Sequence, residues 1–101
     1  MAQRTVVWTD MVKQQRRGIF KYWNKRNGST RYSTKLIKAI GVRIQQLVQH
    51  PLSGKETELT GLRITSLGHF SIIYRLTEKQ LIILGFWDTR QDPEKLFESL
   101  K

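Results

Sequence analysis

The side chains able to do acid–base chemistry near neutral pH are few in this 101-residue chain. Cysteine is absent, which excludes a thiolate nucleophile and a zinc site built on thiolates. Of the two histidines, His50 precedes Pro51 where a helix should end, and His69 falls in an expected turn. Both histidines are interpreted first as structural residues. The carboxylates are sparse and scattered, so we expect no metal and no other cofactor.

Metal-free cleavage of RNA is the reaction that the remaining polar residues come nearest to supporting. It needs a base, an acid and a cationic clamp on the phosphate. The expected sheet and its C-terminal end could supply Arg63, His69, Arg75 and Arg90. Guanidinium groups hold phosphates well, but this set contains no convincing base. The residues therefore indicate a clamp without a complete catalytic site.

The charge of the chain is uneven. Lys and Arg number 18 against 8 Asp and Glu, and the formal net charge is +10. Residues 10–50 hold ten of the bases and one acid, Asp10, whereas the rest of the chain is nearly neutral. Such a surface suits a polyanion or an acidic protein, although a solvated helix face would look the same in sequence.

Aromatic residues lie among the bases of the first predicted helix. Phe20, Tyr22 and Trp23 stand beside Lys21 and Lys25. Aromatic rings interleaved with bases can stack on single-stranded nucleic acid. Trp23 also falls on the apolar stripe of the helix, and this position favours packing in the core.

Hydrophobic spacing predicts an α+β domain with the element order β-α-α-β-β-β. Residues 4–8 are β-branched and aromatic and predict a first strand, which a helix over residues 10–27 follows. Apolar residues over 36–48 recur at helical spacing and predict a second helix, which ends at His50. The short link between the two helices predicts an antiparallel hairpin.

After a polar loop over residues 51–61, the apolar period changes from helical to alternating. Alternation over 62–67 and 70–77 predicts two strands with a turn at Gly68-His69. The run over 81–87 is apolar on both faces, which is typical of a strand in the middle of a sheet. We expect an antiparallel sheet with the helical hairpin packed on one face.

The end of the chain predicts one more element. Asp92-Pro93 is typical of a helix start, and Leu96 and Phe97 lie on one side of the short helix that would follow. A helix this short is marginal alone, so it must dock on the domain or on a partner. No apolar run approaches the ~20 residues that span a bilayer, and no secretory signal is visible. We expect residues 1–101 to form one cytoplasmic domain without membrane contact.

Several short motifs follow one another in a recognisable order. They are the first strand ending in Trp8, Ile19–Trp23 at the end of the first helix, Leu47–Pro51 at the end of the second, Gly61–Arg63 before the sheet, the strand Phe70–Arg75, and Ile82–Pro93. In this order the chain resembles, over nearly its whole length, the RelE/ParE superfamily of toxins from type II toxin–antitoxin systems. The resemblance implies the same α+β fold.

The superfamily contains two activities, so the function that the resemblance implies depends on the branch to which the chain is more similar. RelE-like members are ribosome-dependent ribonucleases, whereas ParE-like members poison DNA gyrase and are not known to cleave RNA. The His-Pro stretch after the second helix, the Gly-Leu-Arg63 entry and the ending Arg90–Pro93 are similar to the ParE-like branch. The resemblance therefore implies a toxin that binds and inhibits gyrase.

Three positions depart from the nuclease branch. Thr65, Ser71 and Phe97 stand where that branch carries a lysine, an arginine and a tyrosine. Thr65 cannot act as a base near pH 7, and Phe97 has no hydroxyl. Two alternatives stay open. One is a ribonuclease of mRNA on the ribosome that uses Arg63, His69 and Arg90, and the other is an inactive toxin fold retained to bind an antitoxin or operator DNA.

The resemblance also implies partners and the residues that meet them. Contacts with the target are expected at Arg63, Arg75, Arg90 and Gln91. An acidic antitoxin is expected to dock on the basic hairpin and the tail, through Lys13, Arg16, Arg17, Lys21, Leu96 and Phe97. The toxin–antitoxin complex should also bind operator DNA, with the antitoxin reading the sequence.

Overall fold

A computed structural model describes residues 3–90 of the chain. Its elements are β1 (Thr5–Trp8), α1 (Asp10–Asn27), α2 (Arg31–Gln49), β2 (Lys55–Glu56), β3 (Arg63–Leu67), β4 (Phe70–Leu76) and β5 (Gln80–Asp88). The five strands form one sheet in the order β1-β5-β4-β3-β2. Both helices pack on one face of that sheet, and the predicted α+β architecture is confirmed. Neither described helix is long and apolar enough to cross a membrane.

The sheet is mixed, whereas the sequence predicted an antiparallel one. β3, β4 and β5 form the predicted antiparallel meander. β1 instead runs parallel to β5, with Val6 opposite Leu81 and Trp8 opposite Ile83. The two helices and three strands separate β1 from β5 in the chain, so local patterning carries no information about this direction. The pairing places β5 inside the sheet, which explains its apolar residues on both faces.

Local chemistry sets the bounds of the helices. The hydroxyl of Thr9 accepts a hydrogen bond from the Val12 amide at 3.3 Å and caps the start of α1. Gly28 ends this helix with a φ of 65°, a conformation that glycine adopts without strain. At the end of α2, the His50 amide donates to the Gln46 carbonyl at 2.8 Å. His50 therefore has the structural position predicted for it.

The main core lies between the helices and the sheet. Its buried side chains come from both layers and include Val12, Leu36, Ile40, Ile44, Leu47, Phe70, Ile72, Tyr74, Leu81, Ile83 and Phe86. The rings of Phe70 and Phe86 stack with centroids 5.1 Å apart. Burial of each large apolar side chain contributes roughly 1.5–3 kcal/mol, so this layer holds the sheet under the hairpin. A smaller cluster around Leu62 and Ile73 lies apart from this core.

The segment after α2 is more ordered than the polar loop that the sequence predicted. It contains β2, which pairs with β3 through Lys55 opposite Ile64. The buried Tyr74 hydroxyl donates to the Pro51 carbonyl at 2.8 Å and accepts from the Gly54 amide at 3.0 Å. A Cβ at position 54 would collide with the tyrosine ring, which explains the glycine there. The His-Pro-x-x-Gly stretch therefore has a structural role in this chain.

The last predicted helix is the remaining element. The positions on which it depends, Asp92 to Phe97, lie outside the described residues, as does Gln91.

Candidate functional site

Arg63, the first member of the predicted clamp, is bound to the loop beside it. Its Nη1 donates to the Gly54 carbonyl at 2.8 Å and to the Leu52 carbonyl at 3.4 Å. Its Nη2 meets the Glu56 carboxylate at 3.2 Å. The side chain is 20% exposed, and the carboxylate is 81% exposed. The guanidinium of Arg63 therefore organises the segment between α2 and β3 while keeping a small exposed surface.

The Tyr74 hydroxyl lies in the same region of the structure. Burial raises its pKa above the usual range, and this effect exceeds the lowering by the Gly54 hydrogen bond and by the Arg63 charge. The phenol is therefore neutral and serves as a hydrogen-bonding bridge between two backbone groups. This end of the sheet has the character of a structural junction.

His69 and Arg90 lie close together near the turn between β3 and β4. The carbonyl of His69 accepts hydrogen bonds from the amide and the hydroxyl of Thr89, both at 2.7 Å. Asp88 accepts from Arg90 at both carboxylate oxygens, with distances of 2.8 and 2.6 Å. These hydrogen bonds hold the pKa of Asp88 below its usual range, and the nearby His69 lowers it further. His69 and Arg90, which the sequence analysis proposed as site residues, therefore both lie near the carboxylate of Asp88.

Arg75 faces the other side of the sheet. Successive side chains of a strand point to opposite faces, and Tyr74 packs against the helices, so exposed Arg75 points away from them. Arg63 lies opposite Tyr74 and Asp88 lies opposite Phe70. Those two positions of β4 are four residues apart, or roughly 13 Å. The four predicted groups occupy three separate places and do not form a single clamp.

The positions that would serve a nuclease have other contacts. Arg43 of α2 donates to the Thr65 hydroxyl at 3.2 Å and to the Ser66 carbonyl at 2.7 Å. Ser71 is buried in β4 with 6% of its surface exposed. Over residues 3–90, no three acidic or histidine side chains converge as a metal site would require.

The basic residues of α1 divide into two groups. Lys13, Arg17 and Lys21 are exposed and follow one another at intervals of four residues, or about 6 Å along the helix. Neither ion pair of the described residues involves them. Arg16 is half-buried, with its guanidinium 4.6 Å from the centre of the Trp8 ring. Three of the four predicted docking bases thus form an open stripe, and the fourth packs against β1.

A groove between α1 and the last part of β5 is the feature that the sequence did not predict. Its volume is about 560 Å³. The residues that line it are Gln15, Gly18, Ile19, Tyr22, Trp23, Arg26, Phe86, Trp87, Asp88 and Arg90. The aromatic and basic residues around position 22 are the only part of the groove that the sequence analysis singled out. That pattern does not predict that residues of β5 form the opposite wall.

The groove carries a cluster of rings and guanidinium groups. The guanidinium of Arg90 lies 4.7 Å from the centre of the Trp23 ring, and that of Arg26 lies 5.6 Å from it. Arg26 also donates to the Tyr22 hydroxyl at 3.0 Å. Trp23 is half-buried, so it contributes to packing, as expected, and also to an exposed surface. These contacts are cation–π interactions of the kind found at binding surfaces.

The helical hairpin, the meander and the order of the strands match the fold of the RelE/ParE superfamily. The model of one family, "ParE toxin of type II toxin-antitoxin system, parDE", matches residues 6–93. The chain therefore belongs to the ParE toxin family. A search of curated proteins found no match.

Two solved structures have a similar fold. One is the chromosomal ParDE toxin–antitoxin system from P. aeruginosa, with 22% identity, a TM-score of 0.71, and coverage of 83% of this chain and 94% of that one. The other is the DinJ-YafQ toxin–antitoxin complex from E. coli, with 12% identity, a TM-score of 0.55, and coverage of 88% and 96%. At these identities the likeness concerns the fold alone.

Proposed function

We propose that the chain is a ParE-like toxin that inhibits DNA gyrase by binding it in the cytoplasm, and that a cognate antitoxin neutralises it. The observation that carries this proposal is the match to the ParE toxin family over residues 6–93. Gyrase as the target is inferred from the resemblance to the ParE-like branch of the superfamily.

The arrangement of the polar groups supports binding over RNA cleavage. Arg63 is engaged by the loop, and His69 and Arg90 lie roughly 13 Å further along the sheet. Thr65 bonds to Arg43 and offers no base. An in-line cleavage reaction needs its acid, base and clamp around one phosphate. The separation of these groups favours a toxin that works as an inhibitor.

The target contacts remain those that the sequence suggested: Arg63, Arg75, Arg90 and Gln91. Among the three described ones, Arg75 is exposed, and Arg90 has 44% of its side chain accessible. Arg63 offers the smallest surface, at 20%. We therefore give Arg75 and Arg90 the larger part in contacting the target.

The antitoxin is proposed to be acidic and to meet the open stripe of α1. Lys13, Arg17 and Lys21 provide three charges in a row, and neither ion pair found within residues 3–90 involves them. Opposite charges across an interface speed association and select the partner. Arg16, Leu96 and Phe97 complete the proposed contact set, and the complex would bind operator DNA through the antitoxin.

Induction of the chain in bacteria that carry separate reporters for DNA damage and translation tests the proposal. Growth arrest with the DNA-damage reporter active and transcripts intact is the expected result. Arrest with codon-phased cuts in mRNA would replace the proposal by a ribosome-dependent ribonuclease. Absence of arrest would replace it by an inactive toxin fold that binds an antitoxin or operator DNA.

A further inference from the structure

A second group of exposed bases lies at the tip of the helical hairpin, where α1 ends and α2 begins. The hairpin tip is defined by five exposed residues, Lys25, Asn27, Ser29, Arg31 and Lys35. Only residues 28–30 connect the two helices, so Lys25 and Arg31 lie on neighbouring helices at the same end of the domain. None of the five lines the groove between α1 and β5. The hairpin tip is therefore a separate surface.

The charges of the hairpin tip have no acidic neighbour along the hairpin. The one acid of α1 is Asp10, which lies roughly 22 Å before Lys25 along the helix axis. The sequence of α2 contains no acid. Neither of the two ion pairs found within residues 3–90 involves Lys25, Arg31 or Lys35. The hairpin tip therefore presents three positive charges to an external anion.

The spacing of these charges fits a row of phosphates. Arg31 and Lys35 are about 6 Å apart along the axis of α2. The axes of packed helices are about 8–10 Å apart, and Lys25 lies across this distance on α1. The three cations thus cover a surface about 10 Å across. One strand of duplex DNA carries a phosphate for about every 3.4 Å of its axis, so the surface faces roughly three successive phosphates.

The neutral side chains of the hairpin tip favour a nucleic acid over a protein as the partner. None of the exposed large apolar side chains found within residues 3–90 falls between positions 24 and 36. The core of a protein interface is apolar and poor in charge, so this surface lacks what an acidic protein would bury. It offers instead the hydroxyl of Ser29 and the amide of Asn27, and such groups bind phosphate oxygens in protein–DNA complexes.

We propose that the hairpin tip binds the phosphate backbone of double-stranded DNA without reading its sequence, and that the chain does so without an antitoxin. Lys25, Arg31 and Lys35 neutralise phosphates, and Ser29 and Asn27 donate hydrogen bonds to them. The surface is distinct from the open stripe of α1 that is proposed to meet the antitoxin. This activity goes beyond the proposed function, because it needs neither gyrase nor an operator sequence.

Two double variants with the same net charge provide a matched test. Arg31→Gln/Lys35→Gln removes two charges from the hairpin tip. The control, Lys55→Gln/Lys79→Gln, removes two charges from β2 and from the turn between β4 and β5. All four side chains are exposed, so both variants should unfold at nearly the parental temperature. Thermal unfolding checks this before binding is measured.

The probe is a fluorescent DNA duplex of arbitrary sequence, whose anisotropy is followed as the purified chain is added at several salt concentrations. Each phosphate contact contributes about 0.9 to the slope of log K against log salt concentration. The tip variant should therefore lose about 1.8 of the parental slope, and its affinity at low salt should fall about tenfold or more. The control should lose less than about a quarter as much slope.

Equal losses for the two variants would overturn the inference, because binding would then follow net charge alone. Polyglutamate at the same concentration of charge should displace the duplex poorly. Displacement as effective as that by unlabelled duplex would overturn the DNA assignment in favour of an acidic protein, and tighter binding of single-stranded RNA would overturn it in favour of RNA. No titration contains gyrase or an antitoxin, so failure here is distinguishable from failure of the proposed function.

Discussion

Arg63 and Arg90 look alike in the sequence and differ in the structure. Both were predicted to clamp phosphate, and both pair with a carboxylate. Arg63 also donates hydrogen bonds to two loop carbonyls, whereas the guanidinium of Arg90 lies over the Trp23 ring at the groove. The role of each arginine therefore depends on whether its remaining N–H donors meet backbone carbonyls or solvent. The first arrangement builds the fold, and the second leaves a surface for a partner.

The largest effect on stability should come from Arg63→Ala. This change leaves the Leu52 and Gly54 carbonyls without their donor, so the free energy of unfolding should fall by about 1–2 kcal/mol. Chemical denaturation measures it. Arg75→Ala is the control because it alters an exposed residue of the same sheet, where about 0.5 kcal/mol or less is expected. Equal losses for the two variants would show that the loop contacts of Arg63 do not matter.

Arg90→Ala should give the opposite pattern, with a small loss of stability and a large loss of toxicity. Arg90 is 44% exposed and Asp88 is 12% exposed, but Asp88 also accepts a hydrogen bond from the Arg90 amide, which the substitution keeps. We therefore expect the free energy of unfolding to fall by less than it does for Arg63→Ala. As a proposed target contact, however, Arg90 should be needed for growth arrest. The two readouts are the unfolding midpoint and the inducer dose that stops growth. An unfolding midpoint lowered as far as that of Arg63→Ala would remove the contrast between the two arginines.

The smallest expected effect is a pH dependence of the stability contributed by the Asp88–Arg90 pair. Arg90 lowers the folded-state pKa of Asp88, so the stability from this pair is present above the unfolded pKa of about 3.9. It is lost as pH falls through the lower folded value. The stability difference between the parent chain and Asp88→Asn should therefore shrink below about pH 4. A difference that stays constant from pH 6 to about pH 3 would contradict the assigned role of the pair.

Local patterns predicted what depends on neighbours in sequence. The bounds of α1 follow from Thr9 and Gly28, and the strands of the meander follow from alternating residues. Patterns of this kind could not predict the parallel pairing of Trp8 with Ile83, because the pairing joins residues far apart in the chain. The same holds for the Arg63 bonds to the loop and for the groove, where α1 and β5 contribute opposite walls.

Supercoiling by purified DNA gyrase in the presence of the toxin is the decisive measurement for the proposed target. We expect micromolar toxin to stop the supercoiling of relaxed plasmid. The cognate antitoxin should restore the activity, and Arg90→Ala should inhibit much less than the parent chain. Gyrase inhibition as the function would be contradicted if gyrase supercoils plasmid at its full rate with micromolar toxin while expression of the same chain in bacteria still arrests growth.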